Sequence, residues 1–102
     1  ILVIGCTTST LKYDLEKLNM TFNKMKVSLK ELFAKYQILP MIFASVDVEI
    51  HVSDSEYAGK HSIAILTQKE IATLYKMLKT NRSHEVINYI KQSIPSVHRE
   101  LL

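Results

Sequence analysis

A single cysteine, Cys6, leaves this chain without an internal disulfide and without a cysteine zinc cluster. That scarcity points to a reducing, intracellular setting. Two Gly and two Pro argue against long flexible loops and leave no glycine-rich cradle for phosphate. Trp is absent. No apolar run approaches the length that spans a bilayer. No Ser-His-Asp or Cys-His arrangement has a supporting motif. The expectation is a protein that is not an enzyme and carries neither cofactor nor metal. The net charge of +3 is too mild to argue for nucleic acid by itself.

What is present is an ordinary globular composition, 47% apolar and 23% charged over 102 residues. That suits a single small domain, residues 1–102, with one modest core. The chain starts at Ile1 rather than Met, as a processed piece of a longer protein would. Val3-Ile4-Gly5-Cys6 has the shape of a bacterial lipobox, but no basic segment or longer apolar run precedes it. Residues 1–6 are therefore expected to form a short apolar strand. A surface protein lipid-anchored through Cys6 is the lesser alternative.

The strongest pattern is a stripe. Leu11, Leu15, Leu18, Phe22, Met25, Leu29, Leu32, Tyr36 and Leu39 alternate at spacings of four and three. This is a coiled-coil heptad, which places all of them on one side of a helix. The helix is expected from Leu11 to Gln37, capped by Ser9 or Thr10 and stopped by Pro40. It would be on the order of 40 Å long, against a domain width of roughly 26 Å. So long a stripe needs a partner, either a second copy in a homodimer or higher oligomer, or another protein. The expected partner-binding face is Leu11, Leu15, Leu18, Phe22, Met25, Leu29, Leu32 and Tyr36. Its flanks carry few opposite-charge pairs, which favours irregular or antiparallel packing over a parallel zipper.

Downstream the period changes. Val46, Val48, Ile50 and Val52 alternate with Asp47, Glu49, His51 and Ser53, the pattern of a half-buried strand. Ser62–Leu66 is the expected hairpin partner across the loop that contains Gly59. Thr67-Gln68-Lys69-Glu70 has the form of a capping box and opens a helix with Ile71, Leu74, Tyr75 and Leu78 on one face. Ser83 is expected to cap another helix bearing Val86, Ile87 and Ile90, ended by Pro95. The sum is an α+β fold with a long N-terminal helix, a β-hairpin extended by residues 1–6, and two to three C-terminal helices. The last helices should cover the hairpin's apolar face.

Two polar groupings remain. Asp47, Glu49 and His51 share the wet face of the expected strand, with His61 across the hairpin. Successive ligands at roughly 7 Å are too spread to hold one ion together, so this is a solvated face. Lys69, Lys76, Lys79, Arg82 and Lys91 cluster on the last two long helices. Leu66-Thr67-Gln68-Lys69-Glu70-Ile71-Ala72, followed by a polar turn and a second helix, resembles the opening of helix-turn-helix DNA-binding units. The resemblance implies nucleic-acid contact by those cations, and departs where Lys76 stands in place of the usual turn glycine. Asn19-Met20-Thr21 and Asn81-Arg82-Ser83 match the glycosylation acceptor only at the level of chance. The reading is a protein-interaction and assembly module that associates with itself through the long helix. A nucleic-acid-binding module is the alternative.

Overall fold

The computed structural model describes residues 11–95 and the backbone of residues 2–4. In chain order the elements are β1 (Leu2–Ile4), α1 (Leu11–Ser28), α2 (Lys30–Lys35), β2 (Ile38–Phe43), α3 (Val52–Lys60), β3 (Ala64–Leu66), α4 (Gln68–Thr80) and α5 (Ser83–Gln92). The α+β mixture and the long first helix are as expected. The pairing of strands is not.

The strands run parallel, in the order β1-β2-β3. Ile38-Leu39-Pro40-Met41-Ile42-Phe43 is a continuous apolar run, as suits a strand covered on both faces. Its first half pairs with β1, Leu2 opposite Ile38 and Ile4 opposite Pro40. The ladder to β3 starts at Met41, just past the proline that has no amide to offer it. Residues 1–6 do contribute a strand, as expected, while Cys6 and the proposed caps Ser9 and Thr10 lie outside the described residues.

Strand alternation divides the interior into two layers. Ile42, Ala44, Ile63 and Ile65 pack with Leu11, Leu15 and Leu18 of α1 and Ala58 of α3. Met41, Ala64 and Leu66 pack on the other side with Leu74 of α4 and with Val86 and Ile90 of α5. The far edge of β3 is closed where the Ile65 amide donates to the Ser93 carbonyl at 3.1 Å.

The hairpin over residues 46–66 is corrected. Residues 44–51 form a loop, and Val52–Lys60 is helix. Val46 and Val52 are 73% and 76% exposed, Ile50 is exposed as well, and of the alternating set Val48 alone packs against the first layer. Parallel strands cannot be joined by a tight turn, and a crossover helix must lie between them. α3 supplies it. Asp54, itself buried, fixes its start by accepting from the His51 amide at 3.0 Å. His51 and His61 therefore stand at opposite ends of α3 rather than across a hairpin.

The helix expected over 11–37 is two helices. α1 ends at Ser28, and Leu29 departs from helical geometry at φ −114° and ψ 44°. Backbone bonding continues across the bend, Leu29 amide to Met25 carbonyl at 2.7 Å and Phe33 amide to Leu29 carbonyl at 3.1 Å. The bend sets the Phe33 ring edge-on against Phe22, centroids 5.3 Å apart. The chain is thereby turned back to enter β2 at Ile38, and Leu39, last of the stripe, becomes a strand residue against the second layer.

α4 begins as the sequence predicts, with Thr67 at the N-cap. The box differs in detail. The Thr67 hydroxyl donates to the Glu70 carboxylate rather than capping the helix backbone. That bond holds the Glu70 carboxyl below its ordinary value, with the Thr67 and Glu70 amides adding to the effect against a smaller opposing push from burial. Arg82, not Ser83, is the N-cap of α5.

Candidate functional site

The stripe divides at Phe22. Leu11, Leu15, Leu18 and Phe22 are buried in the chain's own interior, where no partner can reach them in the folded state. Leu11, Leu15 and Leu18 pack under the strands, and Phe22 packs against Phe33 at the bend. Beyond Phe22 the helix passes the end of the sheet. Met25 is half-buried, and Leu29, Leu32 and Tyr36 are 38%, 43% and 50% exposed. α2 has no buried residue at all. Of the eight residues expected to face a partner, then, the structure leaves the last four accessible and assigns the first four to the core.

The accessible four sit among cations. Lys26 lies 5.0 Å from the centre of the Phe22 ring, and Lys35 lies 5.4 Å from that of Tyr36. Such contacts are worth about 0.5–1 kcal/mol at exposed sites. Lys30 is exposed beside them, and Glu31 is the one acid of α2. The patch is an apolar centre with a mostly positive rim.

The five cations of the nucleic-acid alternative do not form one surface. Lys69 stands in the first turn of α4, beside a depression formed with the 44–51 loop. Lys76 and Lys79 lie exposed further along α4, with Lys79 4.4 Å over the Tyr75 ring. Arg82 caps α5. Lys91, at the other end of α5, lines a different and larger cavity. α4 and α5 do form a helix–turn–helix pair, but Val86 and Ile90 of the second helix are buried in the second layer. A helix held that way presents only its outer face to a groove.

The larger cavity, about 1240 Å³, opens at the amino-terminal end of β2. Lys26, Lys60, His61 and Lys91 line it, and among the described residues no carboxylate does. Lys26 and Lys60 were not singled out from sequence, whereas His61 and Lys91 were, for other roles. The available signal was weak: each lysine falls in the last turn of a helix, where a cation offsets the negative end of the helix dipole. Only correct placement of α3 reveals that the three ends meet.

Asp47, Glu49 and His51 lie in and beside the 44–51 loop near the start of α1, bordering a depression with Glu16 and Lys12. Among the described residues no three or more His, Cys, Asp or Glu are placed to hold a metal ion. No helix among them is long and apolar enough to cross a membrane. No protein-family model matches this chain, and no curated protein or solved structure is significantly similar to it.

Proposed function

We propose that this chain is a protein-interaction module that associates with itself through the end of α1 and through α2. Met25, Leu29, Leu32 and Tyr36 are the contact residues. The observation that supports this is the second half of the stripe: a heptad pattern continues past the sheet that uses it, and its side chains remain in water. Apolar surface left in water is unfavourable by about 25 cal/mol per Å², and a contiguous exposed patch is how interaction sites commonly look. Scattered exposed apolar residues such as Val46 and Val52 need no such explanation.

Self-association through this patch has an electrostatic signature. A symmetric contact places one copy's patch against the other's, so Lys26, Lys30 and Lys35 approach their own kind. Added salt screens that repulsion and should strengthen the dimer. A different, acidic protein on the same patch would respond in the opposite sense. Sedimentation velocity at low and high salt tests the reading. Association that strengthens with salt supports the self-pairing form. Association that weakens with salt, or a chain that stays monomeric throughout, speaks against it.

The nucleic-acid alternative has less support, because its five cations are divided between two depressions and an open helix face.

A further inference from the structure

We infer that the cavity at the amino-terminal end of β2 is a binding site for a small organic phosphate. In a parallel sheet the crossover helices return antiparallel to the strands, so their carboxyl-terminal ends gather where the strands begin. α1 and α3 are such helices, and the last turn of α5 joins them at the same cavity. Each helix end favours one cation, for about half an elementary charge of dipole. The three lysines therefore leave a net positive charge facing one space, offset only in part by the helix ends. Among the described residues nothing acidic lines that space to cancel it.

The walls fit the rest of such a ligand. Phe22, Leu39 and Pro40 give an apolar side, and Asn23 and Gln92 give neutral donors. At about 1240 Å³ the opening is far larger than an inorganic phosphate needs. Flexible lysine ammonium groups bind phosphate as point charges and tolerate varied geometry. The rim is set by the end of α3. Ser62 is the one non-glycine residue with positive φ, 57°, among those described. It is the left-handed residue that closes α3, with the Ile63 amide donating to the Ala58 carbonyl at 2.8 Å and the Ser62 amide to the Gly59 carbonyl at 3.4 Å. Here it turns the chain from α3 towards β3, next to Lys60 and His61.

The test uses the full 102-residue chain and two probes, pyrophosphate and ADP, followed by backbone amide resonances. The expected result is saturable binding of both, with shifts at Lys26, Lys60, His61 and Lys91, and with ADP the tighter because it also meets the apolar wall. Lys60→Gln with Lys91→Gln should weaken binding about tenfold or more, since charge-assisted hydrogen bonds are lost. Lys60→Arg with Lys91→Arg should retain it, which separates loss of charge from damage to the fold. Lys79→Gln, off the cavity, should leave it unchanged. Absence of saturable shifts at millimolar probe overturns the inference. So does equal weakening by Lys79→Gln, which would mean a diffuse charge effect. Much tighter binding of an unphosphorylated oligonucleotide, sensitive to Lys69 and Lys79, would overturn it in favour of a nucleic-acid surface.

Discussion

Residues 11–22 and 25–36 carry the same heptad and end differently. In the first segment Leu11, Leu15 and Leu18 meet Ile42, Ala44 and Ile65, Phe22 meets Phe33, and all four leave water. In the second, Leu29, Leu32 and Tyr36 remain accessible. The difference is not in the helix pattern but in what lies beside it. The sheet is short, six residues in its longest strand, and α1 outruns it. A repeat therefore reports which residues share a face, and the extent of the opposing surface decides which of them become core. Where the surface stops, the same repeat becomes a candidate contact.

The largest expected effect breaks this comparison at its buried half. Leu15→Ala should destabilise the chain by about 2–5 kcal/mol, the range for deleting a fully buried leucine side chain. At a concentration low enough to keep the chain monomeric, Leu32→Ala should change stability by about 0.5 kcal/mol or less, as befits an exposed position away from any cap or network. Chemical denaturation of both variants gives the two numbers on one scale. Similar losses would mean that the halves are covered alike.

A second pair sharpens the contrast between a true strand and an apparent one. Ile65→Asp buries an unpaired charge between layers and should cost several kcal/mol, of order 3 or more. Val52→Asp, in the first turn of α3, should be nearly neutral or slightly favourable because an acid suits a helix N-terminus. A strongly destabilised Val52→Asp would restore the hairpin register.

Smaller effects come from the caps. Asp54→Ala removes the carboxylate that accepts the His51 amide, and should cost about 1 kcal/mol within a range of about 0.5–2. Smallest is the pH effect at Glu70. Its carboxyl is held below the ordinary 4.5, first by the Thr67 hydroxyl. A depressed folded value means that its contribution is fully present above the unfolded value and fades as pH falls through the folded one. Glu70→Gln should therefore melt slightly lower than the unaltered chain at neutral pH, with the gap closing in acid. A gap that widens in acid would reverse the assigned sign.

These contrasts also explain what could be read from the sequence. α1, α4 and α5 show clear spacing of three and four, and burial at Leu15, Leu74, Val86 and Ile90 follows from it, while Tyr75 and Leu78, read onto the same face of α4, are exposed. β2 carried no such signal. A strand covered on both sides does not alternate, and Pro40 within it looked like a stop. The 46–52 segment alternated well, yet period alone cannot supply a neighbour to pair with. With the strands parallel, that stretch had to serve the crossover. Leu29 gave no warning of the bend, having neither proline nor glycine beside it. The cavity was least legible, because Lys26, Lys60 and Lys91 are far apart along the chain and meet only once three helix ends converge.

Molar mass in solution, measured by light scattering on the full chain and on Leu29→Asp with Leu32→Asp, tests the central claim most directly. The account predicts a mass above the monomer's 11.7 kDa that rises with concentration and with salt. It predicts that the double variant stays monomeric while keeping the melting temperature of an isolated, intact fold. A wild-type chain that is monomeric at every concentration, or a double variant that still associates, would contradict it.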